Sequence, residues 1–300
     1  MIRALRLLFV ALAFLAIALP AAAQNEVTER FSRTSHLDQD GTFDLTNVYG
    51  TIVLTGGTGR DVTIEAVKRV QRPNANAARA LLRMIDIQVT EGANRIEVRT
   101  MVPRPRNFPG SVDYTVTLPQ DARVTVRTVS GNIRATNIRG ELLKSVSGDI
   151  EIVGGSADDV VTASTVSGNI AVRGLRGRTT QLTTVTGNVR VDDLQADRLA
   201  VRAVNGNIDY AGDVARSGRY EFVTHSGDIR LMLSGATGFE VQANTLSGTV
   251  RSDFPITRSE SGAEGGRGGV TARGLRGAFG DASAMLVLRA FSGNISVGRR

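Results

Sequence analysis

A five-residue pattern recurs nine times along this chain and constrains its fold more than any other feature. Most copies read as an apolar residue, a small polar residue, Gly, then Asn, Asp or Thr, and finally Ile or Val. The copies are VYGTI (48–52), VSGNI (129–133), VSGDI (146–150), VSGNI (166–170), VTGNV (185–189), VNGNI (204–208), HSGDI (225–229), LSGTV (246–250) and FSGNI (291–295). Between Gly131 and Gly248 the glycines are separated by 17, 20, 19, 19, 21 and 21 residues. A period near 20 residues, rich in Val, Ile and Thr, predicts an all-β fold in which coils stack into a parallel β-solenoid.

Positions counted from the glycine of each copy indicate which side chains face the core. Position −5 is apolar in Leu45, Val126, Leu143, Ala163, Leu182, Val201, Phe222, Ala243 and Leu288. Position −2 holds Val48, Val129, Val146, Val166, Val185, Val204, His225, Leu246 and Phe291. Position +2 holds Ile52, Ile133, Ile150, Ile170, Val189, Ile208, Ile229, Val250 and Ile295, and most +4 residues are apolar as well. We expect all four positions to face inward, on two or more short strands per ~20-residue coil that meet at the glycine.

The glycines and the residues after them predict a structural corner. We expect either a positive φ or a corner too tight for a Cβ atom at Gly50, Gly131, Gly148, Gly168, Gly187, Gly206, Gly227, Gly248 and Gly293. The next residue is Asn or Asp in seven copies and Thr in two, so this position favours a polar ladder between coils.

The sequence divides into three parts. Residues 1–23 have Arg3 and Arg6, an apolar run from Leu7 to Leu19, and a small-residue site ending at Ala23, which is typical of a cleaved signal peptide. Residues 24–119 depart from the repeat, and we predict an irregular β-rich N-terminal cap that contains the first coil and a short helix. Residues 120–300 are predicted to form the β-solenoid, with a mobile Gly-rich loop at 258–269.

The signal segment predicts an exported protein, either periplasmic or at the cell surface or outside the cell, with no transmembrane span after cleavage. The absence of cysteine means that packing and backbone pairing must stabilise it. The formal charge of +7 falls to +5 without Arg3 and Arg6. An aromatic fraction of 5% and the lack of basic clusters among aromatic residues argue against nucleic acid as a partner.

Several segments are similar to a known family. The run YTVTLPQDARVTVRTVSGNI, the early NVYGTIVLTG and the closing SGNISV resemble a bacterial family of adhesin-like β-strand-repeat proteins, with a domain of unknown function and an SG(D/N)I repeat. The resemblance covers roughly residues 27–298. It implies a β-solenoid at the cell envelope and brings no catalytic residues to carry over.

The residue types that carry most catalytic and metal chemistry are scarce. Only His36 and His225 are histidines, so no cluster has zinc-ligand spacing. The acidic pairs Asp158-Asp159 and Asp192-Asp193 stand at different distances from their preceding glycines and do not share a position in the coil. We therefore predict no cofactor, no metal and no catalysis.

One outward position is open to a functional interpretation. Position +3 holds Arg134, Glu151, Ala171, Arg190, Asp209, Arg230, Arg251 and Ser296. Opposite charges on adjacent coils predict simple cross-strand pairing. As an alternative, Arg190, Arg230 and Arg251, oriented by Asp209, form a binding strip for an anionic envelope polysaccharide.

The sequence thus favours a structural or adhesin-like binding module of the cell envelope. An envelope carbohydrate-active enzyme, a lyase or hydrolase, remains an alternative, because solenoids can carry convergent carboxylates. A scaffold partner of another envelope protein in envelope-stress signalling is the third.

Overall fold

The computed structural model describes residues 25–103, 108–258 and 273–300, and most of these residues lie in β-strands. The signal segment and residues 259–269 of the predicted loop lie outside the described residues. In chain order the elements are β1 (Asn25–His36), β2 (Thr42–Thr46), β3 (Ile52–Gly57), β4 (Asp61–Arg72), α1 (Ala75–Leu82), β5 (Asp86–Gly92), β6 (Arg95–Met101), β7 (Gly110–Pro119), β8 (Arg123–Ser130), β9 (Ile133–Thr136), β10 (Arg139–Ser147), β11 (Ile150–Val153), β12 (Ser156–Ser167), β13 (Ile170–Arg173), β14 (Arg176–Thr186), β15 (Val189–Asp192), β16 (Gln195–Asn205), β17 (Ile208–Gly212), β18 (Arg219–Ser226), β19 (Ile229–Leu233), β20 (Phe239–Ser247), β21 (Val250–Ser252), β22 (Thr257–Arg258), β23 (Gly274–Phe279), β24 (Ala284–Ser292) and β25 (Ile295–Arg299).

The strands form two long sheets in which most neighbours are parallel. Sheet A has the order β1, β4, β7, β3, β9, β11, β13, β15, β17, β19, β25 and β21. Sheet B has the order β22, β23, β20, β24, β18, β16, β14, β12, β10, β8, β2, β6 and β5. From β8 to β19 the chain alternates between a longer strand in sheet B and a short strand in sheet A, with the glycine between them. We call each such pair of strands a coil, and successive coils repeat this arrangement along the sheets.

The register aligns equivalent residues of neighbouring coils. Ile150 pairs with Ile133 on one side and with Ile170 on the other, and all three are buried. The inward prediction is confirmed for positions −5 and +2, where the apolar side chains of successive coils form continuous buried columns. Each Å² of apolar surface removed from water stabilises the fold by about 25 cal/mol, so these columns make the main stabilising contribution.

The inward prediction for position −2 is wrong. Val129, Leu246 and Phe291 are 47%, 58% and 50% exposed, and the other members of this column in the coils from β8 onward are exposed as well. Alternate residues of a strand share a face, so the buried position −5 places −3 inward and −2 outward.

Small polar residues at position −3 concealed this alternation. Thr184 is fully buried, and its hydroxyl donates to the carbonyl oxygen of Gly168 in the neighbouring coil at 3.0 Å. The same hydrogen bond recurs at Ser145, Thr165, Thr224 and Thr245. The hydroxyl satisfies a carbonyl group at the corner, which explains why a polar residue faces the core.

The spatial order of the coils differs from their order in the sequence. The last coil of the sequence does not end the stack, because β24 lies between β18 and β20, and β25 lies between β19 and β21. The coil of β20 and β21 therefore stands at the end. β23 pairs antiparallel with β20 and covers its outer edge, while the rings of Phe239, Phe254 and Phe279 pack together with centroids 4.8 to 5.4 Å apart. After β23 the chain returns by one coil, so that β24 and β25 insert between the two preceding coils.

The N-terminal residues extend both sheets beyond the first coil. β2 and β3 pair with β8 and β9, so the first coil stacks directly on the second despite the long segment between them. β7, β4 and β1 continue sheet A, and β6 and β5 continue sheet B. α1 begins after Asn74, whose side-chain oxygen accepts from the Asn76 N–H at 2.8 Å, and packs against β1 and β4. Within the described ranges, no helix has the length and apolar character needed to cross a bilayer.

Candidate binding surfaces

The glycine corner fixes the position of every outward side chain near it. Gly187 has a φ of +141°, and a Cβ atom there would lie 2.0 Å from the carbonyl oxygen of Gly168. At Gly206 a Cβ atom would lie 1.9 Å from the carbonyl oxygen of Gly187. Consecutive corners are therefore too close for any side chain. The glycines stack in the same coil order as the strands, with Gly293 between Gly227 and Gly248.

The residues after the glycines form the expected polar ladder. The side-chain oxygen of Asn188 accepts from the N–H of Asn207 at 2.9 Å, and Asn207 repeats this contact with Asp228 at 2.9 Å. The ladder continues from Asp228 to Asn294 and from Asn294 to Thr249, so it follows the spatial coil order. These hydrogen bonds satisfy backbone groups that the turn leaves out of the sheets.

The sequence-predicted binding residues share one outward column of sheet A. We call Arg190, Asp209, Arg230 and Arg251 the arginine strip. Arg190 pairs in register with Asp209, and Asp209 pairs with Arg230. Ser296 of the inserted coil stands between Arg230 and Arg251. Arginine therefore occupies every second strand, which spaces the three guanidinium groups at roughly 10 Å from the ~4.8 Å strand separation.

Ion pairs hold two of these arginines, one with the expected Asp209 and the other with a different carboxylate. Arg190 Nε donates to Asp192 Oδ2 of its own strand at 2.8 Å, and this hydrogen bond raises the pKa of Arg190 further above its ordinary value. Asp209 lies 3.6 Å from Arg230 Nη1 and so orients that arginine. Within the described residues, no ion pair involves Arg251. Each paired guanidinium keeps N–H groups that can bind a further anion.

The other end of the same column shows the cross-strand pairing that the sequence predicts. Arg134 Nη2 lies 2.7 Å from Glu151 Oε2 on the neighbouring coil. Both side chains reach solvent, so the pair contributes about 0.2 to 1 kcal/mol to stability. This end of the column is therefore electrically balanced.

Sheet B presents a second surface, which the sequence analysis missed. It consists of the exposed −2 residues, and we call it the apolar ladder: in spatial order Val129, Val146, Val166, Val185, Val204, His225, Phe291 and Leu246. The His225 ring is stacked on Phe291, with centroids 4.6 Å apart and an interplanar angle of 15°. The sequence does contain a signal for this ladder, because strand alternation from the buried position −5 places −2 on the outer face. We assigned −2 to the core instead because its residues are apolar.

The acidic pair Asp192-Asp193, which the sequence analysis considered, is held in ion pairs. Asp192 contacts Arg190 and Arg173, and Asp193 pairs with Arg300 at the end of the chain. The side chains of Asp158 and Asp159 lie outside the described part of the structure. Among the described residues no group of three or more His, Asp or Glu side chains could hold a metal ion.

A polar groove of about 780 Å³ lies at the opposite corner of the coils. Its two acidic residues are also paired, Asp40 with Arg139 and Asp121 with Arg60. Glycoside hydrolysis requires one protonated and one free carboxyl group on either side of the scissile bond. In this groove both carboxylates contact a guanidinium group.

The comparison with protein families identifies the chain's relatives. The model of the Toastrack DUF4097 family matches residues 44–297, from β2 to β25. This chain belongs to the Toastrack DUF4097 family. The match includes the strands of every coil and the cap strands β4 to β7, so the family domain spans the two-sheet fold except β1, the first residues of β2 and the last residues of β25.

Solved structures with similar chains include a candidate adhesin from Bacteroides fragilis, at 14% identity and a TM-score of 0.48, covering 89% of this chain and 96% of that chain. A candidate adhesin from Parabacteroides distasonis has 9% identity and a TM-score of 0.38, with 91% and 97% covered. A candidate lipid-binding protein from the same species has 11% identity and a TM-score of 0.38, with 90% and 96% covered. A search of curated proteins gives no match. The assignment of this Toastrack chain rests on the family match alone.

Proposed function

We propose that this Toastrack protein is an exported, non-catalytic binding module of the cell envelope that holds an extended acidic polysaccharide along the arginine strip. The observation that carries the proposal is the recurrence of arginine on every second strand of sheet A, at Arg190, Arg230 and Arg251. The inserted coil makes this spacing even, because Ser296 separates Arg230 from Arg251. A polymer with one carboxylate per disaccharide repeats its charge at a similar distance.

The fixed spacing of the arginine strip explains how weak contacts add up on one polymer. Arg190 and Arg230 are about 60% exposed, so their guanidinium groups reach solvent while the strands beneath them are fixed. Each exposed charge contact contributes little, and we expect an affinity in roughly the millimolar range for one copy. A polymer that contacts three arginines at once gains from their fixed spacing.

Titration calorimetry with hyaluronan fragments tests the proposal, since hyaluronan has one carboxylate per disaccharide. We expect fragments of three or more disaccharides to bind at low salt, and the affinity to fall at high salt because the Debye length shrinks below ~10 Å. Neutral dextran is expected not to bind. The Arg190→Ala, Arg230→Ala, Arg251→Ala triple variant should lose the binding.

A charge-matched control separates the strip from the net charge. The Arg127→Ala, Lys144→Ala, Arg202→Ala variant removes three charges from sheet B and should bind hyaluronan like the wild type. Equal binding by the wild type and the arginine-strip variant contradicts the proposed site. Release of new reducing ends or unsaturated sugars by the wild type contradicts the non-catalytic assignment.

Export is tested separately by fractionation and intact mass. We expect the protein in the envelope fraction, with a mature chain beginning at Gln24, because Ala21 and Ala23 are the small residues of a signal-peptidase site. A mature chain that retains the apolar run from Leu7 to Leu19 would contradict the export proposal.

A further inference from the structure

The apolar ladder runs across eight adjacent strands of sheet B, from β8 to β20. Its five valines are 39% to 47% exposed, and Phe291 and Leu246 are 50% and 58% exposed. Side chains at the ~4.8 Å strand spacing cover one another in part, which explains the intermediate exposure of the valines. The two largest and most exposed side chains lie at one end. Contiguous exposed apolar surface of this kind marks an interaction site.

A basic column lies beside the apolar ladder on the same face. It lies at position −4, two residues before the ladder residue of a coil, where four of the eight coils have an exposed basic residue: Arg127, Lys144, Arg202 and Arg289. The other four coils have Ser164, Thr183, Val223 and Asn244 there. In the described ion pairs of the basic residues the acid is Glu221, at 3.7 Å from Arg202 and 4.0 Å from Arg289. The described contacts give Arg127 and Lys144 no ion pair. The face therefore combines a row of apolar side chains with net positive charge.

We infer that the apolar ladder and its basic column bind the surface of a bilayer that contains anionic lipids. Apolar side chains enter the boundary between headgroups and acyl chains, while lysine and arginine contact the lipid phosphates. The charge complementarity of the basic column selects this occupant. The inference uses sheet B and does not depend on polysaccharide binding at sheet A.

A second copy of the chain fits this surface less well. A stable protein interface buries about 800 Å² and roughly 20 to 30 residues on each partner, whereas the apolar ladder is a single row of eight side chains. In such a dimer the basic column of one copy would also lie close to the basic column of the other, and the two would repel each other. A lipid surface has neither restriction, because it is fluid and negatively charged.

Vesicle co-sedimentation tests the inference with the mature chain. Phosphatidylcholine vesicles with about 30% phosphatidylglycerol should bind the wild type at low salt, and pure phosphatidylcholine vesicles should bind it far less. The Leu246→Ser, Phe291→Ser variant should lose binding by ~10-fold or more, since it removes the two largest apolar groups. Phe291→Leu should keep it. The Arg127→Ala, Lys144→Ala variant should reduce binding to the anionic vesicles.

The arginine-strip triple variant is the matched control and should bind vesicles like the wild type. Unchanged melting temperatures of the serine variants verify that they fold, as expected for exposed positions. Absence of wild-type binding to the anionic vesicles overturns the inference, and so does equal binding by the serine variant. If the wild type forms a dimer in solution but does not bind vesicles, and the serine variant is a monomer, the apolar ladder binds a second copy of the chain instead. The two proposals are distinguished because the arginine-strip variant should lose binding to hyaluronan only, and the Leu246→Ser, Phe291→Ser variant should lose binding to vesicles only.

Discussion

Single atoms at the glycine corner determine how closely the coils stack. A Cβ atom would lie 1.9 Å from a carbonyl oxygen at Gly206, although the φ of Gly206 is outside the left-handed region. Gly174 is the reverse case, with a φ of +62° and nothing within 4 Å of a Cβ atom. The chain thus offers one glycine required by space alone and another required by backbone conformation alone.

These two glycines give the first prediction. Gly206→Ala should destabilise the fold by about 3 kcal/mol or more, because two coils must move apart. Gly174→Ala should cost about 1 kcal/mol, since it strains the backbone without a clash. Denaturant unfolding of both variants measures the difference. A larger loss for Gly174→Ala would show that close approach is not what selects glycine at the corner.

The buried hydroxyl groups give a second prediction at the same scale. Thr184→Val keeps the shape but leaves the Gly168 carbonyl oxygen without its donor, so we expect a loss of about 1 to 3 kcal/mol. Ala203 occupies the equivalent position of the next coil and has no hydroxyl to donate. Ala203→Ser should therefore gain about 0.5 to 1 kcal/mol by adding the missing hydrogen bond. Thermal melts that show no loss in Thr184→Val would remove the hydroxyl from the stabilising contacts.

The sequence alone predicted which residues of a strand are buried wherever apolar character and strand alternation agree. Positions −5 and +2 are apolar in almost every copy and are buried, so their columns could be read directly from the sequence. Position −2 is almost equally apolar but exposed from β8 onward, and position −3 is buried although it is polar in all but two coils. The reason is a contact between coils, the hydroxyl-to-glycine hydrogen bond, which a single sequence does not display. The ion pair between Arg190 and Asp192 was missed because both residues stand on one strand, whereas only cross-strand partners were considered.

Buried tyrosines within the strands give the third prediction. Burial raises the pKa of Tyr114 to about 12, and burial likewise raises the pKa values of Tyr210 and Tyr220 above the ordinary 10. The unfolded chain therefore loses these protons first, and stability present below pH 10 is lost as the pH rises toward 12. For Tyr114 this amounts to about 1.4 kcal/mol per pH unit between pH 10 and 12.

Melting temperatures at pH 8 and pH 11, with absorbance at 295 nm to follow phenolate, measure this effect. We expect lower stability at pH 11 and phenolate formation that accompanies unfolding. Tyr114→Phe should show a smaller loss between the two pH values than the wild type. The same pH dependence in both proteins would indicate that Tyr114 does not resist ionisation.

At the scale of the whole molecule, the position of the last coil joins the fold to both candidate surfaces. Insertion of β24 and β25 places Ser296 within the arginine column and Phe291 between His225 and Leu246. It also leaves the coil of β20 and β21 at the end, where Arg299 lies 5.1 Å from the centre of the Phe254 ring. The sequence could not reveal this order, since the last repeat is equally compatible with either place in the stack.

Engineered disulfides test this order most directly, and the chain has no cysteine of its own to interfere. Ser226 and Ser292 are register partners on adjacent strands, so their Cα atoms should be about 5 Å apart, within the range for a disulfide. Ser226 and Ser247 are two strands apart, roughly 10 Å, although their coils are neighbours in sequence.

Mild oxidation followed by non-reducing electrophoresis and peptide mass mapping measures the outcome. We predict rapid, complete disulfide formation in the Ser226→Cys, Ser292→Cys variant and none within the Ser226→Cys, Ser247→Cys chain. Efficient bonding in the second variant and none in the first would place the coils in sequence order and refute the inserted position of β24 and β25.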